Sequence, residues 1–423
     1  MPITSLELGL RLRAARTACG LTQEDVSRAL GIARPAVVQL EKGARAVTSL
    51  ELDRLAHLFG RDLREFLAES FDEQDVVTAL FRADPDVLGQ PPTLAAFRDC
   101  VALAREVRRL EILVGLDSVA TPVVYPDLRL TSRWEAVEQG ERVAADERHR
   151  LDLGSGALPD VTDMLEEQGV RTAIVDLPEA VSGVTLADPA SGLFVVVNRA
   201  HHVLRRRFSF AHEYAHVLLD RGRLDRGQSG LVSRARDNET LPEIRANAFA
   251  AAFLLPADGV RECLTVWGRG QPSRPSSEIF DETGSVRAEG RLAPGSQRVR
   301  LRHVVQLAHR FGASRRACLY RLRNLGLITQ AELDHFLGIE ADGHGREIAA
   351  ALGLPEPDHT EARSWFRHRV VDLALEAWRR EEISRGRVLD LLGRAGIARV
   401  AAERILVEAV AESSADGLHG ARS

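Results

Sequence analysis

Two histidines and a glutamate stand at a spacing that suits metal chemistry. They belong to the stretch His212-Glu213-Tyr214-Ala215-His216, in which the histidines are four positions apart. Residues four apart lie on one face of a helix, so both imidazoles can point at the same ion. Glu213 could then reach a water molecule on that ion. Two imidazoles, one acid/base carboxylate and one open position form the arrangement that zinc-dependent hydrolysis needs. The alternative is a pair of surface histidines on an amphipathic helix.

The residues around this stretch predict a buried helix and a sheet that positions it. Apolar side chains recur at helical spacing on a neighbouring face, namely Phe208, Ala211, Ala215, Leu218 and Leu219. The helix can pack through them while the histidines line a cleft. We expect Tyr214, which points away from the histidines, to pack rather than to react. Before the helix, β-rich runs at 170–177, 184–187 and 193–198 predict a small sheet, and an edge strand could pair with an extended substrate.

A third protein ligand must come from elsewhere in the chain. The run that ends at Pro256 predicts a second helix, and Glu243 lies at its start. Asn247, one turn further on, could orient that carboxylate. Asp237 and Glu239 in the preceding loop are rival ligands. Glu243 could also serve only to complement the helix dipole.

The first part of the chain predicts a compact helical domain over residues 7–67. Thr22 is a good N-cap, followed by acidic residues in the first turn of a helix. Gly31 marks a tight turn, and Pro35 suits the first turn of the next helix. A helix, a short glycine turn and a second helix among five short helices are typical of a helix-turn-helix domain. A helical dimerisation or protein-docking module is the alternative.

Length and composition predict an α+β, mainly helical protein of several domains. The chain has 423 residues, 45% hydrophobic and 28% charged, with a net charge of −5. Four scattered cysteines disfavour a disulfide framework, and there is no signal segment or apolar run of membrane-spanning length, so we expect a cytoplasmic protein without membrane contact. The predicted units are a helix-turn-helix domain at 1–70, a helical linker at 71–130, a zincin-like domain at 131–260, a flexible loop at 261–298 and a helical region at 299–423, with a disordered tail from Glu412.

The N-terminal segment resembles the lambda-repressor-like (Xre) family. The resemblance rests on residues 21–26, 30–32 and 39–43. It implies binding to operator DNA as a homodimer, with base edges read by Arg34, Pro35 and Gln39 and a phosphate held by Gln23. Arginine pairs with guanine and glutamine with adenine through their donor geometry. Pro35 and the nearby Val38 are apolar departures from the usual polar reading face.

Residues 196–198, 207–216 and 243–250 together resemble the ImmA/IrrE family of metallopeptidases. The resemblance implies that His212, His216 and Glu243 are zinc ligands and that Glu213 is the general base. It also implies a protein substrate, typically an Xre-type repressor. His201, His202 and Arg205 to Arg207 are the candidates for a group that stabilises the transition state, and the residues do not choose among them.

The leading hypothesis is therefore a DNA-binding zinc endopeptidase that cleaves a repressor and derepresses genes. A non-catalytic repressor whose metallopeptidase-like domain acts as a sensor is the second hypothesis, and an antitoxin-like regulator is the third. Residues 301–327 repeat a helix-turn-helix-like pattern. Their arginine-rich second helix could touch nucleic acid, or the region could be structural or present a substrate.

Overall fold

The computed structural model is α+β and mainly helical, as predicted. It describes residues 3–59, 61, 63–68, 71, 91–116, 121–126, 129–188, 191–222, 230–234, 239–270, 276–281, 284–289, 293, 295–355 and 365–419. None of the helices within these ranges is both long and apolar enough to cross a membrane.

Five short helices form the N-terminal part, in agreement with the prediction. They are α1 (Ser5–Ala18), α2 (Gln23–Leu30), α3 (Arg34–Glu41), α4 (Ser49–Phe59) and α5 (Leu63–Leu67). Thr22 and Asp25 form a reciprocal capping box at the start of α2. Gly31 follows α2 with a φ of 70°, a left-handed conformation that glycine adopts without steric cost. Apolar residues of all five helices meet in one core, which includes Leu12, Val26, Val37, Leu55 and Phe66.

A four-stranded sheet and five helices form the central part. The elements are α7 (Arg133–Arg150), α8 (Val161–Glu167), β1 (Val170–Val175), β2 (Val181–Asp188), β3 (Gly192–Asn198), α9 (Val203–Leu219), β4 (Gly230–Arg234), α10 (Leu241–Leu254) and α11 (Ala257–Val266). The strand order is β1-β3-β2-β4, with β1 parallel to β3 and the other pairs antiparallel. The sequence predicted the first three strands and missed β4, a short strand without strong alternation.

The helix α10 is held between α7 and α9. Any side chain at Gly140 of α7 would collide with the backbone of Arg245 and Phe249 in α10. This glycine therefore allows the two helices to approach closely, and Arg148 of α7 donates a hydrogen bond to the carbonyl of Phe253. The packing fixes α10, and so the start of that helix, against α9.

The segment predicted as a flexible loop, 261–298, contains ordered elements. The helix α11 continues to Val266, and a hairpin follows with strands β5 (Ser276–Asp281) and β6 (Gly284–Glu289). The prediction of a loop rested on the many glycine, proline, serine and charged residues of this segment. Those residues mask a short alternating pattern whose backbone hydrogen bonds are satisfied by the neighbouring strand.

The C-terminal part is helical, as predicted. Its helices are α12 (Leu301–Phe311), α13 (Arg315–Asn324), α14 (Gln330–Ala341), α15 (His344–Ala351), α16 (Trp365–Arg379), α17 (Arg385–Arg394) and α18 (Arg399–His419). The expectation of disorder from Glu412 was wrong, because α18 runs on to His419. Extending an existing helix gains one backbone hydrogen bond per residue, whereas starting a new helix is unfavourable.

A long helix, α6 (Pro91–Leu113), connects the three parts. It lies inside the predicted helical linker at 71–130. Three of its charged side chains each pair with two other parts of the molecule. These ion pairs join Arg105 to Glu65 and Asp188, Glu106 to Arg64 and Arg387, and Glu111 to Arg171 and Arg369. The helix is therefore packed against the rest of the molecule and does not act as a spacer. Each of these three side chains pairs with two of the following: α5, the sheet and the C-terminal helices.

Candidate metal centre

The helix α9 forms as its sequence predicts, and every residue from Ser209 to Leu219 is buried, including the face that carries the histidines. Nδ1 of His202 accepts a hydrogen bond from the Leu204 amide and caps the helix. Tyr214 is fully buried against the rings of Phe249 and Phe253, and its hydroxyl donates to Glu147. Burial and the neighbouring Glu147 carboxylate raise the pKa of Tyr214, which keeps this residue neutral. The prediction that Tyr214 packs is confirmed.

His212, His216 and Glu243 converge on one point. Nε2 of His212 lies 3.0 Å from Oε2 of Glu243, and Nε2 of His216 lies 3.3 Å from Oε1. The two Nε2 atoms are 3.2 Å apart. The three side chains form the one group in the described residues whose His, Cys, Asp or Glu atoms could jointly hold a metal ion. Of the rival ligands, Glu239 is exposed and outside this group, and Asp237 lies outside the described residues.

The other ring nitrogens of both histidines are also engaged. Nδ1 of His216 lies 2.8 Å from Oδ2 of Asp220, and Nδ1 of His212 lies 3.0 Å from the amide oxygen of Asn247. Asn247 thus contacts a histidine, whereas the sequence argument had it orient Glu243. It faces α9 from one turn beyond Glu243, which brings its amide to the imidazole. These contacts fix which nitrogen of each ring points at the common centre.

The sequence argument missed Asp220 and the arginine that holds it. Arg245, 1% exposed, donates to Oδ1 of Asp220 at 2.7 Å and to Gln139 of α7 at 3.0 Å. Asp220 stands four residues after His216, so its place on the same helical face was a signal in the sequence. The pairing with Arg245 had no such signal, because it depends on how α10 packs against α9.

The electrostatics favour a positive charge at the common centre. Burial disfavours charge on His216, but hydrogen bonds to Asp220 and Glu243 outweigh it and raise the pKa of His216 to about 10. Burial likewise opposes ionisation of Glu243, yet both imidazoles hold the pKa of Glu243 below its ordinary value. Two imidazole nitrogens and a carboxylate oxygen are also a donor set that zinc accepts. The residues therefore fit a divalent metal.

Glu213 lies beneath the sheet and is fully buried. Oε2 of Glu213 accepts a hydrogen bond from the Thr185 hydroxyl at 2.7 Å, and Oε1 has no partner among the described residues. A Cβ at Gly183 would lie 2.6 Å from that Oε1, so any other residue here would displace the carboxylate from its position. The register of β2 with β4 shifts between Val181 and Gly183. Burial raises the pKa of Glu213.

The residues proposed for transition-state stabilisation lie along α9 before the histidines. Arg207 donates to the carbonyls of Leu158 and Pro159, and His202 serves as the helix cap. Arg205 lies 3.5 Å from the Ser182 hydroxyl. His201 is buried in the turn that precedes α9. A helix rises about 1.5 Å per residue, so the backbone of Arg205 lies about 10 Å from that of His212 along the helix axis.

The predicted DNA-reading residues lie on an open surface of α3. Arg34, Pro35 and Gln39 are all exposed. Gln23, expected to hold a phosphate, is half-buried, and its Nε2 donates to the carboxylate of Glu41 at 2.9 Å. Gln23 therefore joins α2 to α3.

Two family models match the chain. The peptidase M78 model, described as an IrrE N-terminal-like domain, matches residues 165–269, which include all three converging side chains. A helix-turn-helix model matches residues 12–66. The chain is a fusion of these two domains. The search of curated proteins found no match. Both resemblances stated from the sequence are thus confirmed, and residues 1–11, 67–164 and 270–423 lie outside both matches.

Proposed function

We propose that this fusion protein is a DNA-binding, zinc-dependent endopeptidase that cleaves a repressor protein and so derepresses genes. The observation that carries the proposal is the convergence of His212, His216 and Glu243 beside the buried Glu213. A metal ligand set with an acid/base carboxylate next to it is the equipment of peptide hydrolysis.

His212, His216 and Glu243 would hold the zinc ion, with Asp220 and Asn247 orienting the two imidazoles. A zinc ion at this site would supply Lewis-acid chemistry, which polarises a peptide carbonyl and lowers the pKa of water to about 7. The buried Arg245 keeps Asp220 ionised and in place. Each imidazole would therefore present Nε2 to the metal, and the ligand side chains would need little rearrangement when the ion binds.

Glu213 would act as the general base and then as the general acid. Its Oε2 is held by Thr185, which leaves Oε1 as the atom that takes a proton from water and returns it to the departing amine. Burial, which raises the pKa of Glu213, suits a carboxyl group that must carry a proton for part of the cycle. A substrate linker in extended form could lie along the sheet beside β4, which is an edge strand among the described residues.

The N-terminal domain would place the peptidase beside its substrate. A homodimer bound to a palindromic operator through Arg34 and Gln39 shares the promoter with other regulators. Tethering on the same DNA can raise the effective substrate concentration toward about the mM range. We therefore propose that the substrate is a helix-turn-helix repressor acting near the same operator, cut in an exposed interdomain linker.

The test uses purified protein, zinc and candidate repressors, with and without operator DNA. Glu213→Gln should keep zinc and operator binding and lose cleavage, because it removes the base and no ligand. Cleavage that persists in Glu213→Gln would eliminate the proposed mechanism. Cleavage at the same rate without operator would eliminate the tethering argument.

A non-catalytic repressor that uses the metal centre as a sensor is the second candidate, with an antitoxin-like regulator as a variant of it. The enclosure of the site favours it: the exposed fractions are 6% for His212, 0% for Glu213, 2% for His216 and 9% for Glu243. Such a protein would change its operator affinity on zinc binding and cleave nothing. Measuring operator affinity with and without zinc, alongside cleavage, separates the two functions.

A further inference from the structure

A cavity of about 1100 Å³ lies between the start of α9 and the helices α12 to α15. Its wall includes Val203 and Arg207 from α9, together with the turn from α12 to α13. This volume is in the upper range for sites that hold small organic ligands. The cavity stands at the boundary where the IrrE N-terminal-like match ends and the unassigned helices begin.

Positive charge dominates the lining of this cavity. Among the residues that the structure describes, five arginines line it, against a single acid, Glu340, which is paired with Arg315. Arg310 and Arg346 form no ion pair within the described part of the chain. The first turns of α9 and α13, which also line the cavity, contain no acidic residue to offset their positive helix ends.

A second large cavity shows that this charge excess is not general. It measures about 990 Å³ and lies between α4 to α6 and α17. Six arginines line it together with five acids, and pairs such as Arg105–Glu65 and Arg387–Glu106 neutralise the charge. Arginine is thus balanced in one cavity and left in excess in the other.

The rest of the charged cavity is apolar. Leu204, Ala349, Ala350 and Leu354 line it and keep part of their surface exposed. An inorganic ion would contact only the arginines and leave this apolar surface against water. A ligand with an anionic head and an apolar body would satisfy both parts of the lining.

We propose that this cavity is an effector site for an amphipathic organic anion, a carboxylate or a phosphate ester that carries an aliphatic chain. Arg207 lines the cavity and belongs to α9, the helix that also carries the metal-centre histidines. Its guanidinium donates to the carbonyls of Leu158 and Pro159. Its guanidinium also lies against Gly312 in the α12–α13 turn. A ligand here therefore contacts the helix that presents His212 and His216. An effect on cleavage rests on the proposed function, whereas binding does not.

Calorimetric titration of the full chain tests the binding. The probes are octyl phosphate, octanoate, octanol and inorganic phosphate, all below micelle-forming concentrations. At least one of the two anionic chains should bind, and octanol and inorganic phosphate should bind at least tenfold more weakly. The comparison of the two anions tells the phosphate ester from the carboxylate. Equal binding of octanol would overturn the anionic part of the proposal, and equal binding of inorganic phosphate the apolar part.

Variants locate the site. Arg310→Gln combined with Arg346→Gln should weaken binding at least tenfold, since both arginines are exposed and the fold does not depend on them. Arg302→Gln, an exposed arginine of α12 outside the cavity, is the matched control and should bind as the parent does. An unchanged affinity in the double variant, with an unchanged melting temperature, would place the ligand elsewhere and refute the proposal. Repeating the titration on Glu213→Gln keeps the result independent of peptidase activity.

Discussion

The metal centre and the reading face of α3 differ in how far their side chains are already paired. At the metal centre all four ring nitrogens of His212 and His216 have partners, in Asp220, Asn247 and Glu243. On α3, Arg34 and Gln39 are exposed on the surface. The side chains of the first region are held by one another, whereas those of the second are open to solvent.

This difference separates two ways of building a binding site. Buried, mutually bonded groups fix the geometry that a small ion demands to within a few tenths of an ångström. Exposed side chains can adjust to the shape and sequence of a large partner, at the cost of ordering them on binding. Single substitutions at the metal centre should therefore reduce zinc binding strongly and should not be additive. Single substitutions on α3 should reduce operator binding by small, independent amounts.

The largest effect is expected for His216→Ala. It removes one of the three ligands and leaves Asp220 and Glu243 facing each other in a buried site, so stoichiometric zinc should fall to a trace. Metal analysis of the purified protein measures this. Arg34→Ala is the control and should keep its zinc. Zinc retained at the parent level by His216→Ala would mean that the ligands lie elsewhere.

A smaller effect is expected when a histidine loses its orienting partner. Asp220→Asn and Asn247→Ala should each weaken zinc binding by about 10–100-fold, because partners of this kind hold the ligand ring in place. Competition with a zinc chelator gives the affinity. Asp258→Asn, at an exposed acid of α11, is the control. If Asn247→Ala binds zinc as the parent does, His212 does not need its partner and the centre is less preorganised than described.

On α3, Arg34→Ala should cost about 1–3 kcal/mol at one base pair. The reason is that a bidentate contact to guanine is lost and the rest of the surface stays in place. Operator variants with single base changes, measured at one salt concentration, give the value. A uniform loss on every sequence would make Arg34 a phosphate contact.

The smallest effect is expected for Gln23→Ala. Because its amide bonds Glu41 between α2 and α3, its loss should lower the free energy of unfolding by about 1 kcal/mol. Gln39→Ala, exposed on the reading face, is the control and should leave stability unchanged while weakening operator binding. Thermal melts measure the difference in stability. Equal stability of Gln23→Ala and the parent would favour the original prediction that Gln23 holds a DNA phosphate.

How far each region could be predicted depends on the distance between its partners in the sequence. The capping box at Thr22 and the spacing of His212 and His216 are local signals, so both helices were predicted. Glu243 was reached because it lies in the first turn of helix α10 and because the family motif includes it. Arg245 could not be reached, since its link to Asp220 and Gln139 exists only after α7, α9 and α10 have packed. The charged cavity depends in the same way on contacts between distant parts of the chain, whereas the hairpin in 261–298 is local and was missed because of the composition of that segment.

The ion pairs of α6 also determine when the molecule can be finished during synthesis. Glu111 is completely buried, yet its partner Arg369 follows 258 residues later in the chain. At ribosomal rates of about 5–20 residues per second, the carboxylate waits roughly 10–50 s for that guanidinium. Arg108, one turn earlier in α6, is already present, and Arg171 follows while the sheet forms, so both can pair with the carboxylate before Arg369 is made. The contact between α6 and the C-terminal helices therefore forms only after those helices have been translated. In a nascent chain stalled before Arg369, that side of α6 would still be uncovered.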